Sequence, residues 1–410
     1  MVSKTNIIIF IFVVNALVAI TSGFELPGGF HTGLWRAVIT AVALPFLATK
    51  ILKSPANIAI VVTLLYLSFS ILTNTNIVSN IPTFVGVIFS LIMYPLAYTY
   101  FYSPEHYERL SHIIIILLFV LGVHFIWAQV FQVGTIPYES NGVSTYLGGG
   151  GVQQTFIMVY LLLFIPFIII VYPQKFRWFE LLAIILSIIP IFLIFRRGAI
   201  FGLMLGVLAY CFFTFRKGNV VKLVLAGTVV LIALFPLYLD RIEPMLERRT
   251  INPTDFEAVE AIGRTQEIIV WSPYWMEQKG TMHILFGSEL YDYQELAGGT
   301  RSLHSDYATY LVGAGVIGFA LYFSVIGFIW FDFYRSAKKI KSKVRRRELL
   351  AVMASLTIAY MVISYSGQYY VISALSTIML LFGVMNRYTK ELSKKDVENN
   401  GSSVYNQLGS

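Results

Sequence analysis

The chain has 410 residues, 57% of them hydrophobic and 13% charged, with a mean hydropathy of +0.72. A soluble domain carries about 45–50% apolar and about 25% charged residues, and a globule this apolar has too few polar groups to cover its surface. Composition therefore excludes a cytosolic enzyme, a secreted domain and a disordered chain, and it points to an integral membrane protein. The formal net charge is +8, and Cys211 is the one cysteine, which excludes an intrachain disulfide and a cysteine-rich metal site.

A membrane-crossing helix needs about 20 mostly apolar residues. Twelve runs qualify, near 6–24, 34–52, 57–73, 82–102, 110–131, 154–172, 179–195, 198–216, 220–239, 307–331, 349–366 and 369–386. The expected fold class is all-α, a polytopic membrane bundle of about twelve transmembrane helices. Residues 1–239 hold spans one to nine, 240–303 form a large loop, 304–390 hold the last three spans, and 391–410 form a polar, disordered tail. The first run follows Lys4 in the manner of a signal peptide and reads as a retained anchor. The last two runs, joined by Ser366, Gly367 and Gln368, also fit a re-entrant hairpin.

Lysine and arginine in short loops set the orientation. With the N-terminus inside, the inner side collects Lys4, Lys50, Lys53, Arg109, Lys175, Arg177, Arg216, Lys217 and Lys222. The run from Arg335 to Arg347 and the tail add more. The outer side keeps Arg36, Arg196, Arg197, Arg241, Arg248, Arg249, Arg264, Lys279 and Arg301, together with most of the acids. The basic balance is thus a topology signal that requires no nucleic-acid partner. The run RSAKKIKSKVRRR fits a solvated cytoplasmic loop and also fits contact with anionic lipid headgroups. Two outer loops stand out. One, near 132–153, contains Gly148–Gly151, and the other, 240–303, is long enough to cap the bundle. A short amphipathic helix over 255–271, with Pro253 near its start, is expected in the second.

Ionisable residues inside spans are expensive and mark function. His124 is the one mid-span ionisable group, read as a neutral, hydrogen-bonded side chain or as a proton relay. The lack of carboxylates deep in the spans, and of repeat symmetry between halves, argues against a transporter or flippase. Arg196 and Arg197 interrupt two apolar runs on the outer side, against the charge trend. They read as snorkelling arginines or as an anion site, since the guanidinium fork suits phosphate or pyrophosphate and Gly198 permits close approach. Arg264, in Gly263-Arg264-Thr265 upstream of Trp271, can pair with Glu260 or Glu267 or serve the same anion. The phrase Arg301-Ser302-Leu303-His304-Ser305-Asp306-Tyr307 enters span ten. Ser302, Ser305 or Asp306 can cap that helix, while His304 is the side chain best suited to take a proton near neutrality. Gly313, Gly315 and Gly318 spell GxGxxG, but no strand precedes them, so they suit close helix packing rather than a dinucleotide. Arg197, Arg264 and His304 lie on three outward elements that can converge where a lipid-linked anion presents its headgroup.

The order of these elements resembles the bacterial O-antigen ligase and polymerase superfamily. The matching phrases are Phe195-Arg196-Arg197-Gly198-Ala199, then Gly263-Arg264 with Trp271 downstream, then His304-Ser305-Asp306-Tyr307 running into Leu311–Gly318. They cover residues 190–330 by motif and the rest by hydropathy alone. The resemblance implies a C-type membrane glycosyltransferase of the bacterial inner membrane, with both termini cytoplasmic and the active site periplasmic. It implies transfer of a glycan from undecaprenyl pyrophosphate to an acceptor sugar hydroxyl, inverting and without a metal or other cofactor. Arg197 and Arg264, with Arg196 and Arg301 as further candidates, would hold the pyrophosphate, and His304 would serve as base or as orienter of the acceptor. The implied partners are the lipid-linked glycan, an acceptor glycan or lipid A-core, membrane lipids and a chain-length regulator. Polymerisation of O-antigen or exopolysaccharide repeat units is the first reading, ligation to lipid A-core the second.

Overall fold

The structure, a computed structural model, describes residues 4–21, 54–134, 139–140, 143–144, 146–148, 154–172, 178–194, 196–214, 280–291, 305–367 and 371–408. These are almost entirely helical. In chain order they form α1 (Lys4–Thr21), α2 (Pro55–Ser70), α3 (Ile77–Tyr100), α4 (Pro104–Phe131), α5 (Gln154–Val171), α6 (Trp178–Leu193) and α7 (Arg197–Thr214). The short α8 (Thr281–Phe286) follows, then α9 (Asp306–Gly313), α10 (Gly315–Ala337), α11 (Lys343–Tyr365) and α12 (Ile372–Leu408). A two-residue antiparallel pair, β1 (Glu139–Ser140) with β2 (Val143–Ser144), sits in the loop between α4 and α5. Seven described helices are long and apolar enough to cross a membrane. The expected spans near 34–52 and 220–239 lie outside the described residues, and the others fall on described helices.

Helix α5 sits at the centre. Its sequence, QTFIMVYLLLFIPFIIIV, has no polar face and is buried along nearly its whole length, as a helix apolar all round must be. Around it pack α4, α6, α7, α11 and α12. Small residues bring the outer pairs together. Gly198, Gly202 and Gly206 recur every four residues on α7 and face α11. A Cβ at Gly202 would lie 3.1 Å from Ile363, one at Gly206 3.2 Å from the Ser355 carbonyl, and one at Gly198 would overlap the Ser366 hydroxyl. This is the small-residue stripe that lets two membrane helices approach backbone to backbone. A similar approach joins α4 to α6, where Gly122 meets Leu186 and the Ser187 hydroxyl donates to Leu118 O at 2.8 Å.

Contacts at one end of the bundle gather the basic residues. The Thr5 hydroxyl donates to Tyr100 O at 2.9 Å, Arg109 to Asn6 at 3.0 Å, Arg345 to Ile170 O at 3.4 Å and Lys390 to the Tyr98 hydroxyl at 2.7 Å. The Arg335–Arg347 hairpin between α10 and α11 belongs to this end. Helix α12 also departs from expectation, because the polar stretch 391–408 continues the helix instead of ending it. The start of this polar stretch is supported by the Arg387–Glu391 ion pair at 2.9 Å and by Asp396, which accepts from Lys341 N at 3.0 Å.

The run 307–331 is not one span but two helices, broken at Ala314 and Gly315. Gly315 has φ +65°, a conformation that favours glycine. Gly287 lies against the backbone of Gly313 and Gly315, so the GxGxxG glycines serve close packing at a break. The Tyr66 hydroxyl donates to Ala314 O at 2.6 Å and lies 3.0 Å from Phe286 O. Beside it, the Glu289 carboxylate accepts from the Thr75 amide at 2.9 Å and from the Thr75 hydroxyl. Tyr291 N donates to Asn74 at 3.2 Å, and the Tyr291 hydroxyl donates to Leu67 O at 2.8 Å. Burial pushes that hydroxyl well above its ordinary range, so it stays a donor. The segment 286–291 is thereby fixed to the end of α2.

Candidate functional site

Arg196 and Arg197 stand at the start of α7, at the end of the bundle away from the basic hairpin. The Arg196 carbonyl accepts from the amides of Ala199 and Ile200, at 2.9 and 3.1 Å, which places Arg196 just before the first turn. Two cations at a helix N-terminus run against the helix dipole, which favours anions there. Helix stability therefore does not account for this pair, while an anion placed over it would meet both the dipole and the guanidinium groups. Arg196 is half-buried, with its guanidinium carbon 4.4 Å from the centre of the Phe156 ring on α5. Arg197 is exposed.

The α7 glycine stripe fixes where these arginines lie. Because Gly198 seats on Ser366, the α7 start is clamped to the C-terminal end of α11. A second helix start reaches the same stretch of α11. The Tyr307 hydroxyl of α9 donates to Met361 O at 3.2 Å, and its ring stacks on Phe323 at 4.9 Å. Met361 and Ser366 are about 7.5 Å apart along a helix. One end of α11 thus carries both the Arg-Arg-Gly start and the Ser-Asp-Tyr start.

At the α9 start Ser305 is 0% exposed and its hydroxyl makes no hydrogen bond, so the capping role the sequence offers it is not taken up. Asp306 is 1% exposed, a carboxylate inside the bundle rather than on its rim. It lies within electrostatic reach of Tyr307, Tyr322 and Tyr360. Tyr310 stacks on Tyr322 with centroids 3.7 Å apart, and the Tyr322 and Tyr360 hydroxyls share a hydrogen bond of 3.0 Å.

The loop between α4 and α5 borders the same end. Phe125, Leu147 and Ile194 form a small core that ties residues 146–148 to α4 and to the corner before Arg196. Gln129 holds the loop by bonding both the carbonyl and the amide of Tyr146. His124 is half-buried beneath Gly148, with Trp127 at 6.0 Å. Its Nδ1 makes no hydrogen bond, and Gly148 lies against the Cε1–Nε2 edge of the ring.

Arg264, Arg301, His304 and the 255–271 helix lie outside the described residues. Arg196 and Arg197 at the start of α7, and the residues that directly follow His304 at the start of α9, each adjoin a helix seated on the last turns of α11. No protein-family model matches this chain, and no curated protein matches it either. Among the described residues, no group of three His, Cys, Asp or Glu side chains could hold a metal ion. Sequence reasoning passed over Phe156, Ser366 and the buried tyrosines. The glycine spacing 198, 202, 206 and the hydroxyl-rich YMVISYS at the end of α11 were the available signals.

Proposed function

We propose that the chain is a membrane glycosyltransferase that takes a glycan from undecaprenyl pyrophosphate and joins it to a sugar hydroxyl at the periplasmic face. Its product is a polymer of O-antigen or exopolysaccharide repeat units. The observation that carries this reading is the shared seat on α11, where the Arg196-Arg197-Gly198 start and the Ser305-Asp306-Tyr307 start both end. Pyrophosphate departure develops negative charge, which arginines can stabilise. Arg196 and Arg197 supply that charge from one side, with Arg264 and Arg301 as further ligands from the long loop. His304, which directly precedes the buried Ser305, removes the acceptor proton as the hydroxyl attacks.

The full bundle has about twelve spans, residues 240–303 cap it, and both termini face the cytoplasm. The gathering of the basic hairpin and the other cations at one end supports this orientation, since cytoplasmic loops carry the excess of Lys and Arg. The lipid-linked donor reaches the site laterally from the bilayer and the acceptor from the periplasm.

Replacing His304 or Arg264 by Ala should abolish transfer by purified protein while membrane levels stay at wild type. Full activity in His304→Ala would remove the base assignment. A strain lacking the chain separates the two acceptors. Single repeat units still attached to the core mean polymerase, and loss of all attached glycan means ligase.

A further inference from the structure

We infer that the face of α10 ending in Arg335 and Lys338 is a binding site for an anionic phospholipid, which lays an acyl chain along the helix and its phosphate between the two cations. The inference uses the membrane-spanning bundle alone and is independent of the glycosyl-transfer reading.

Phe328, Phe331, Tyr334, Arg335 and Lys338 recur at helical spacing, so they fall within one stripe of about 120°. All five are exposed, Phe331 at 54% and Tyr334 at 56%. The opposite side of α10 carries the buried Ile329, Phe333 and Ala337. The exposed stripe changes character along its length, from phenyl rings to a phenol to cations. A bilayer imposes that order between hydrocarbon and headgroup, with tyrosine at the interface. From Phe328 to Lys338 the stripe runs about 15 Å, half of a hydrocarbon core roughly 30 Å thick and so the depth of one leaflet. Gly327 lies on the same stripe with open space where a Cβ would stand. The row of rings thus has a gap, one turn before Phe331, in which an acyl chain can settle.

The cations lack a counter-charge from the protein. Residues 335–347 hold eight Lys and Arg and no acid. Among the described residues, no carboxylate pairs with Arg335 or Lys338. The one carboxylate of α10, Asp332, is engaged with α2, where it accepts from Ala56 N at 3.1 Å. The backbone under the cations is fixed. Lys338 N donates to Tyr334 O at 2.9 Å, and Ile340, 2% exposed, pins the turn that follows. Arg335 and Lys338 stand three residues apart, a spacing at which two side chains reach one phosphate. Arg345 serves differently, since it donates to Ile170 O at the end of α5. A solvated loop accounts for the lysines beyond the turn, but not for the order of rings and cations on the helix.

The test uses the full-length protein in nanodiscs of equal phosphatidylcholine and phosphatidylglycerol. Native mass spectrometry counts the lipids retained on the released protein. A basic side chain at an anionic surface adds about fivefold in affinity. Wild type should therefore retain phosphatidylglycerol about 25-fold over phosphatidylcholine. Arg335→Gln and Lys338→Gln should each lower that preference about fivefold, and the pair should bring it near one. Lys394→Gln, at the same end on α12 and paired with Glu391, should leave it unchanged. No preference in the wild type, or an undiminished one in the paired variant, overturns the site. Equal loss in Lys394→Gln also overturns it, because net charge would then suffice. Displacement of the lipid by inorganic phosphate, beyond that by chloride at equal ionic strength, would make this a free-anion site and sink the lipid assignment. If the paired variant does not reach the membrane, the single variants decide, and wild-type preference in both overturns the site. Glycosyl transfer plays no part in this readout, so failure of the lipid site and failure of the proposed function are separate results.

Discussion

Two adjacent arginines meet different surroundings. Arg196 lies over the Phe156 ring and is half-buried, whereas Arg197 is exposed. A cation over an aromatic face gains about 0.5–2 kcal/mol and, more usefully here, keeps its planar fork in one orientation. Lysine keeps the charge and loses both the plane and the fork. Arg196→Lys should therefore weaken binding of inorganic pyrophosphate about tenfold, a difference of about 1.4 kcal/mol, in a titration with purified protein. Wild-type affinity would show that the stack is packing only. The arginines are legible in the sequence because a charge inside an apolar run is an anomaly visible to composition. Phe156 and Ser366 are not, because each becomes relevant through helices that lie far away in the chain. His304 stands out by motif and lies outside the described residues, and nearby Asp306 reads as an ordinary cap, since a helix start says nothing about what packs over it.

Among the elements, α7 and α11 are the pair on which the site depends. Gly202 has 3.1 Å to Ile363 for any added Cβ, so Gly202→Leu forces the helices apart. Overpacking of this kind costs about 1–3 kcal/mol. A lower melting temperature in detergent, with the α7 start lifted off α11 and activity reduced, is the expected outcome. Unchanged stability would mean that the stripe is not the clamp. Gly315→Ala tests the broken span, because an L side chain at φ +65° costs roughly 1–2 kcal/mol. Helix positions follow from hydropathy because each run must bury or face lipid along its length. The break at Ala314 escapes that reading, since apolarity continues unaltered across it. The continuation of α12 escapes it for the opposite reason. Polar residues suggest a tail, yet Arg387, Glu391 and Asp396 use their charges to keep the helix going.

For the whole molecule, orientation is the quantity to measure. With Cys211 replaced by serine, Met282→Cys and Lys339→Cys place single thiols at opposite ends of the bundle. A membrane-impermeant maleimide should label Met282→Cys in intact spheroplasts and Lys339→Cys only after lysis. The reverse pattern would invert the bundle and put the arginines on the cytoplasmic side. Charge asymmetry between loops is what the sequence offers for orientation, whereas the seating of α7 and α9 on α11 depends on packing that no loop charge reports. The contact of Gly287 with Gly313 and Gly315 has a consequence at this scale. The stretch from 288 to 312 begins and ends at one point on the bundle, so it is a ring closed by backbone contact. Closing a ring costs entropy only as the logarithm of its length, about 0.6 kcal/mol for each doubling. Insertions between residues 292 and 304 of this stretch therefore cost little entropy and leave the contact of Gly287 with Gly313 in place.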